Sequence, residues 1–432
     1  MSKKISALTA TNLVVANMVG TGVFTSLGFQ VAGIASDFAL IALWVVGGIV
    51  SLCGALSYAE LAAALPRSGG EYHYLSRIFH PSVGFLAGWI SVTVGFPAPI
   101  ALAGIAFGEY FKVFLPGVSP VATSLIVIWT ITLIHLFGVR AEEMFQNAST
   151  FLKLGLILVL IIAGLLISNP QHLDLTPGLN VLWSEPFGVS LVYVMYAYSG
   201  WNAATYITEE VRDAAKNVPW ALLIGTVLVT LLYVLLNYVF LLTTPKPVLS
   251  NQVDVGLLAG EVIFGPIGGR IVSALISIGL IATISAMAWI GPRITKRMAE
   301  DLPKLRLLGK TSANGTPYTA MILQLAITTT LVCTGTFQRV LIYTQFSLLL
   351  CSFLTVLGLV VLRIREPGLD RPYKVWGYPI TPILFLAVTL CIMIYVIHGK
   401  PTESLLGLIT VIAGLIIYFL AKEPGRNPAH IH

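Results

Sequence analysis

The chain has 432 residues, of which 56% are hydrophobic and only 10% are charged, and its mean hydropathy is +0.88. A soluble globular domain carries about 25% charged residues, so this composition excludes a water-soluble fold and indicates a membrane protein. The formal net charge is +6, but the basic residues lie in short loops between apolar runs, which is typical of membrane topology and not of a nucleic-acid-binding face.

Twelve apolar runs are long enough to cross a bilayer, for which about 17–25 residues are needed. In chain order they are predicted at 6–30, 38–62, 82–110, 120–138, 146–167, 187–209, 218–242, 267–292, 317–335, 338–362, 378–398 and 404–421. Lys3 and Lys4 precede the first run as they would a secretory signal, but no small-residue cleavage site follows. We therefore expect a single all-α transmembrane domain over 1–432 that retains its first helix.

The distribution of basic residues predicts the orientation of these helices, because cytoplasmic loops are enriched in Lys and Arg. With the N-terminus in the cytoplasm, nineteen of the 25 basic residues fall in inner segments, and Lys153 falls inside a span. The five basic residues of the outer segments are Lys112, Lys246, Arg270, Arg339 and Lys400. This asymmetry predicts a multi-pass protein of the cell membrane with both termini in the cytoplasm.

Two of the predicted spans carry residues that interrupt a helix. The first contains Gly20-Thr21-Gly22 in mid-membrane, and the sixth contains Ser199-Gly200-Trp201-Asn202. Unwound backbone is tolerated in hydrocarbon only where it lines a cavity inside the protein, so each break favours a binding site. Small residues also let helices pack closely, and packing is the alternative for either motif taken alone.

The two breaks lie about 180 residues apart, and each is in the first span of a block of five predicted helices. An odd number of helices inverts the second block relative to the first, which predicts an inverted repeat whose discontinuous helices meet at the bilayer midplane. The repeats are expected at 1–167 and 187–362, followed by two additional helices in 378–421.

The chemistry of two such breaks suits a zwitterion. Freed amides at the start of the second half of the first helix offer donors and a positive dipole end to a carboxylate. Freed carbonyls around Ala197 to Gly200, at the end of the first half of the sixth helix, offer acceptors to an ammonium group.

Several motifs resemble those of a known family. Residues 18–24 (MVGTGVF), 55–61 (ALSYAEL) and 66–72 (PRSGGEY) resemble the first two helices and first inner loop of the amino acid–polyamine–organocation (APC) superfamily. Residues 196–202 (YAYSGWN), followed by Glu209-Glu210-Val211, are similar to the L-type amino acid transporter (LAT) branch. The resemblance covers helices 1 to 8 well, and helices 9 to 12 match in length and hydropathy only.

The resemblance implies a LeuT-like fold with five plus five helices and assigns roles to single residues. The substrate-binding residues that it implies are Gly20, Thr21, Gly22, Ala197, Tyr198, Ser199, Gly200 and Asn202. The first three would hold a carboxylate, and the carbonyls of Ala197 to Ser199 would hold an amine. Tyr196 occupies the position of an aromatic gate, although an ordinary packing role is the alternative.

Lys153 is unusual because it lies within the fifth predicted span, where a charged side chain is expensive and functional by default. By the resemblance it occupies the place of a sodium ion between helices 1 and 8 in sodium-coupled relatives. Its ammonium would then replace that cation by donating to the unwound carbonyls of helix 1. Proton coupling is a second possibility, since buried lysines can titrate near neutral pH, and snorkelling to an interface is a third.

The predicted substrate is a neutral amino acid. A cationic side chain needs an acidic partner in a buried site, and neither broken segment contains one; Ser199 stands where an acid would be best placed. We therefore expect a secondary active transporter that exchanges neutral L-amino acids without sodium. The alternatives are a proton-coupled symporter and an antiporter of cationic amino acids or polyamines.

Other function classes lack their motifs. The sequence contains no HExxH, GxSxG or clustered carboxylates, which argues against an enzyme, and no filter-like repeat that would indicate a channel. No cofactor or metal is expected, because the four cysteines lie in apolar segments without metal-ligand spacing. The loop from Val113 to Pro120, where L-type relatives carry a cysteine for a disulfide-linked partner, has none, so no such subunit is expected.

Overall fold

The computed structural model describes residues 4–137, 142–301, 303–312 and 315–421. Regular structure in these residues is helical, with a single isolated bridge between Ile5 and Val211. The helices are α1 (Ala7–Met18), α2 (Gly22–Val31), α3 (Asp37–Ala64), α4 (Gly70–Ile78), α5 (Pro81–Ile90), α6 (Pro97–Phe111), α7 (Pro120–Leu136), α8 (Glu142–Leu165), α9 (Glu185–Tyr198), α10 (Ala214–Thr243), α11 (Lys246–Leu249), α12 (Val255–Asp301), α13 (Tyr318–Thr334), α14 (Phe337–Arg365), α15 (Ile380–Gly399) and α16 (Pro401–Ala421). Four of the nineteen basic residues that are predicted to lie in inner segments fall outside the described part of the chain, namely Lys3, Arg140, Lys422 and Arg426.

Nine helical stretches of the described chain are long and apolar enough to cross a membrane. They are Ala7–Val31, Asp37–Ala64, Pro81–Phe111, Ala148–Leu165, Ala214–Thr243, Val255–Glu300, Phe337–Arg365, Ile380–Gly399 and Pro401–Ala421. Two further predicted spans are the apolar 17-residue helices α7 and α13. The remaining predicted span, the sixth, corresponds to α9. This helix has only 14 residues, because it ends at Tyr198, where the second break begins. The total of twelve crossings and the repeat of five plus five helices stay predictions.

Three long helical stretches are interrupted, each for a local reason. The first separates α1 from α2 at residues 19–21, where the glycines predicted as a break lie. The second is a π-helical turn, Ser91–Gly95, between α5 and α6, and Pro97 follows it as a residue without an amide hydrogen. The third is a kink inside α12 at Gly265, followed by Pro266.

Close helix packing in the bundle depends on small residues, since lipid supplies no hydrophobic force between helices. A Cβ on Gly47 of α3 would lie 2.3 Å from Val194 Cγ1 of α9, and one on Gly48 would lie 2.3 Å from Thr230 Cγ2 of α10. The backbone of α3 is therefore pressed against both neighbours. These contacts hold α9 and α10 against α3, and the same two helices contact the first broken helix, α9 at α2 and α10 at α1.

Segments predicted to share a side of the membrane contact one another. Ile5 exchanges backbone hydrogen bonds with the chain after α9, donating to Glu210 O at 2.9 Å, and Arg77 of α4 forms a 2.9 Å ion pair with Glu366 after α14. We call this the inner face, following the predicted orientation. It holds the beginning of α1, all of α4 and the end of α14.

The opposite, outer face carries its own ion pairs. Lys246 Nζ lies 2.7 Å from Asp37 Oδ1, which joins α11 to the start of α3. Lys112 Nζ, after α6, lies 3.3 Å from Asp254 Oδ2, and the negative charge of Asp254 raises the pKa of this lysine against the opposing effect of burial. Both of these lysines thus have a carboxylate partner close to the end of a helix.

Candidate functional site

The two broken helices interlock through their glycines. A Cβ on Gly22, at the start of α2, would lie 2.5 Å from Ala197 Cα of α9. A Cβ on Gly200, at the second break, would lie 2.8 Å from the carbonyl carbon of Asn17 in α1. Gly200 also has a φ of 99°, which side chains rarely adopt. Each break therefore brings its backbone directly against the other broken helix, and both glycines have a packing role.

Gly20 differs from these two glycines. A Cβ at this position would meet only Met18 O, at 4.0 Å, so open space lies around it. Gly20 lines a cavity of about 310 Å³ that extends between both breaks. Ligand pockets for small molecules begin at about this volume, so the space suits an amino acid.

The first break presents unbonded amide hydrogens to this cavity. Gly20 N donates to Met18 O and Phe24 N donates to Thr21 O, but the amides of Thr21, Gly22 and Val23 donate to no acceptor among the described residues. These amides lie at the N-terminus of the ten-residue α2. Aligned amides and the helix dipole make such a terminus a binding point for a carboxylate.

The second break presents unbonded carbonyls. The carbonyl of Tyr196 accepts both the amide (3.0 Å) and the hydroxyl (2.7 Å) of Ser199. The carbonyls of Ala197, Tyr198 and Ser199, in contrast, accept no hydrogen bond from any part of the chain that the structure describes. An ammonium group has three donors and can satisfy such carbonyls directly.

The structure brings most of the predicted substrate residues to one cavity. The predicted residues that line it are Gly20, Thr21, Gly22, Tyr196, Ala197, Ser199, Gly200 and Asn202. Tyr198 does not line it: its side chain is fully buried against α3 and donates to Trp44 O at 3.0 Å. Only the backbone of Tyr198 belongs to the break.

Tyr196, the predicted gate, lies across the first break. Its hydroxyl is 3.2 Å from Thr21 Oγ1, and both side chains are buried. On the outer side of this contact, Phe29 of α2 stacks between Tyr193 of α9 and Phe337 of α14, with ring centroids 5.6 and 5.7 Å apart. These contacts join α2, α9 and α14 on the outer side of the breaks.

Toward the inner face the cavity continues. Its lining there includes Leu13 of α1, Ile207 after the second break and Ile294 of α12. The cavity thus extends past the breaks toward the inner face, whereas none of the three stacked rings on the outer side lines it.

Lys153 of α8 is buried and donates from Nζ to Val19 O at 2.8 Å. Its stem lies against α12, where a Cβ on Gly279 would be 2.9 Å from Lys153 Cγ. Lys153 therefore lies between the first break and α12, the helix that contains the eighth predicted span. This contact does not distinguish between the two predicted roles of Lys153, a structural cation and a proton-coupling residue.

Tyr233 is a residue of the site that sequence reasoning missed. It lies fully buried in α10 and donates its hydroxyl to Met18 O at 2.6 Å. Its ring also packs edge-to-face against Trp44 and at a tilt against Tyr198. A tyrosine within an apolar span carries no sign of this role, because only the packing of α10 against α1 brings it to the break.

Glu71 is a second residue that was missed. It lies in the first turn of α4, outside the predicted spans, yet it lines the inner part of the cavity and is buried. Its Oε1 accepts hydrogen bonds from Tyr58 (2.5 Å), Ser352 (3.1 Å) and Asn202 (3.4 Å). Burial raises the pKa of the Glu71 carboxyl above its ordinary value, while the bonds from Tyr58 and Ser352 act in the opposite direction.

Comparison with known proteins places the chain in a family. Residues 5–419 match the sequence profile of the amino acid permeases. The chain belongs to the amino acid permease family. The resemblance to APC permeases that the motifs of the broken helices predict is thereby confirmed, and the protein is a helical, multi-pass membrane protein of a family of transporters.

The relatives of this permease match it over nearly its whole length. The b(0,+)-type amino acid transporter 1 of Mus musculus is 29% identical over 97% of this chain and 88% of its own length. The Asc-type amino acid transporter 1 of Homo sapiens is 29% identical over 100% of this chain and 84% of its own. The serine/threonine exchanger SteT of Bacillus subtilis (strain 168) is 26% identical over 98% of both chains. All three relatives are transporters by name and not enzymes.

Proposed function

We propose that this permease is a secondary active transporter that exchanges neutral L-amino acids, independently of sodium, by alternating access. The observation that carries the proposal is that two interlocked helix breaks border one cavity, and that both contain backbone groups with no hydrogen-bond partner among the described residues, amides in the first break and carbonyls in the second. A zwitterion supplies the carboxylate and the ammonium that these two sets of groups lack. No other charge is needed to hold the common part of every amino acid.

A neutral side chain suits the rest of the cavity. The residues that surround the breaks are mainly apolar, and they include Phe96, Met195, Met287 and Leu348. The broken segments themselves contain no acidic residue, so a guanidinium held between them would find no partner within these segments, which is unfavourable. This supports the preference for neutral amino acids over arginine.

Independence from sodium is supported by the place of Lys153. Its ammonium already donates to Val19 O in the first break. A fixed positive charge at this carbonyl repels a metal cation and occupies the oxygen that would bind it. In this proposal Lys153 is a structural cation that holds the unwound backbone in both states of the transport cycle.

Alternating access is supported by the asymmetry of the cavity. The stack of Phe29, Tyr193 and Phe337 closes the outer side, and the cavity extends past Glu71 and Ile294 toward the inner face. In the opposite state these rings separate, and the inner ends of the helices come together. Exchange is supported by the relative SteT, which is named as an exchanger.

The permease is proposed to act in the cell membrane with both termini in the cytoplasm and without a disulfide-linked subunit. The excess of basic residues in the predicted inner segments supports the orientation. A reporter that is active only in the cytoplasm, fused to the C-terminus, is expected to be active. An inactive reporter with a folded permease would overturn the orientation.

The function is tested by uptake into liposomes that contain only the purified permease. Labelled alanine, serine and leucine are compared with labelled arginine, with and without unlabelled amino acid inside. We expect at least one neutral amino acid to enter faster than arginine, and internal amino acid to accelerate its entry. Replacement of sodium by choline should leave the rate unchanged.

Each part of the proposal has its own contrary result. Arginine uptake without entry of, or competition by, neutral amino acids would contradict the substrate class. Equal uptake with empty liposomes would indicate uniport, and uptake driven by an inward proton gradient would indicate symport. A requirement for sodium would contradict the role of Lys153.

A further inference from the structure

Glu71 is a buried carboxylate that has hydrogen bonds but no positively charged partner among the described residues. Its side chain is 7% exposed, and all three of its hydrogen bonds end on Oε1. Oε2 accepts no hydrogen bond from the described residues, and no Lys, Arg or His among them forms an ion pair with either oxygen. Glu71 also lines the cavity, so its carboxylate borders the space that the proposed substrate would occupy.

Glu60, a second buried glutamate near the inner face, provides a comparison because its carboxylate is paired with positively charged side chains. Glu60 of α3 is fully buried, and Arg363 Nε donates to its Oε1 at 2.8 Å. Arg371 Nε lies 3.3 Å from the same oxygen, and the amide of Val375 donates to Oε2 at 2.7 Å. Both oxygens of Glu60 thus have partners, and Glu60 does not line the cavity.

The backbone holds Glu71 in place. Gly69 and Gly70 precede it with φ values of 122° and 53°, and a Cβ on Gly70 would lie 2.7 Å from Tyr206 Cε1. This turn presses the start of α4 against the chain that follows the second break. The N-terminus of α4 and the three neutral donors favour the negative form of Glu71, but none of them supplies a full positive charge.

We propose that Oε2 of Glu71 is a binding point, in the inner part of the cavity, for the primary ammonium group of an amino acid. The inference rests on the proposed function, since it assigns a second contact to the same cavity. Two sources offer this chemistry: the α-ammonium of any substrate on its way to the inner face, or the side-chain ammonium of a substrate such as lysine. Either one would balance a buried carboxylate that has no counter-ion in the described part of the chain.

The test compares two ligands that differ only in the side-chain ammonium. Displacement of a labelled neutral substrate from the purified permease is measured with L-lysine and with L-norleucine. In Glu71→Gln, we expect lysine to bind roughly tenfold more weakly or worse, because a hydrogen bond between two charged groups is lost. Unchanged norleucine binding assigns the side-chain ammonium, and an equal loss for norleucine assigns the α-ammonium.

Two variants keep the outcome interpretable. Glu366→Gln removes a carboxylate from an exposed ion pair of the same face, outside the cavity, and should change neither affinity. Glu71→Asp keeps the charge and should retain part of the affinity that Glu71→Gln loses, and it carries the test if the glutamine variant is not monodisperse.

Several results would overturn the inference. One is unchanged binding of both ligands to Glu71→Gln, and another is an equal loss in Glu366→Gln. Loss of stimulation by a proton gradient, with both affinities unchanged, would instead make Glu71 a proton site. Wild-type protein that binds and transports no amino acid would contradict the proposed function itself, which separates the two failures.

Discussion

The two helix breaks are alike in shape but differ in how their backbone is satisfied. At the first break, side chains from two other helices reach the carbonyls: Lys153 donates to Val19 O, and Tyr233 donates to Met18 O. At the second break the hydrogen bonds come from the segment itself, mainly from Ser199 to Tyr196 O. The backbone of the first break is therefore stabilised by side chains of other helices, and the backbone of the second break is stabilised by residues of its own segment.

This difference assigns the breaks separate tasks. Unpaired carbonyls in a membrane interior are unfavourable, so the partners supplied by α8 and α10 stabilise the unwound backbone of the first helix. The three carbonyls that the second break leaves unbonded have no such partner among the described residues. They remain available to a ligand, whereas the first break offers a ligand its amides.

The largest expected effect comes from the glycines that interlock the breaks. Gly22→Val places a branched side chain where Ala197 Cα already lies, so we expect loss of substrate binding and a lower melting temperature. Gly20→Ala is the matched variant, because open space surrounds that position. It should keep the melting temperature and weaken only substrate binding. Normal affinity in Gly22→Val would show that α2 takes no part in binding.

Removal of the external support for the first break should have the next largest effect. Lys153→Ala leaves Val19 O without its partner, which costs about 1–3 kcal/mol and should slow exchange at least roughly tenfold. The measurement is the exchange rate at saturating substrate. Lys153→Met, which keeps a long stem against Gly279, separates loss of the charge from loss of packing.

The pH profile of the same assay distinguishes the two roles of Lys153. A structural cation predicts weak dependence of the rate between about pH 5.5 and 8 and no stimulation by an inward proton gradient. Gradient-driven transport that disappears in Lys153→Ala would identify proton coupling instead. Sodium-dependent transport by the wild type would contradict both roles.

A smaller effect is expected for the second external partner. Tyr233→Phe removes one hydrogen bond to Met18 O, but this carbonyl still accepts the amide of Gly20. We expect a loss of about 1 kcal/mol, or roughly fivefold in exchange rate. Tyr198→Phe is the control, because its hydroxyl bonds to Trp44 O outside the break. Equal losses in both variants would point to the aromatic cluster and not to the break.

The smallest effect should follow from a change inside the second break. Ser199→Ala removes the hydroxyl from Tyr196 O, which keeps the amide of the same residue. Substrate affinity, measured by binding of the labelled amino acid, should fall by less than roughly threefold. A much larger loss would mean that the hydroxyl itself contacts the substrate, and the second break would then not be held by its own residues.

The helices were predictable because hydropathy is a local property. Each of the twelve predicted runs falls on a helix, with most ends shifted by only a few residues. The largest differences concern α9, which ends at Tyr198, and α12, which begins well before the predicted 267–292. In α9 the break at Tyr198 interrupts a run that hydropathy treats as continuous. In α12 the helix continues across the kink at Gly265, which the prediction took as the end of a loop.

The amino-acid sequence by itself determined that the protein is a helical membrane permease, where its helices run and which glycines interrupt them, because apolar length and helix-breaking residues act locally. Only the tertiary structure decided which partners reach those breaks. Tyr233 stands in an ordinary apolar span, and Glu71 stands in the motif 66–72, whose family resemblance gave it no role in the site. Helix packing brings one to Met18 O and the other into the cavity, since contacts between residues far apart in the chain depend on the whole fold.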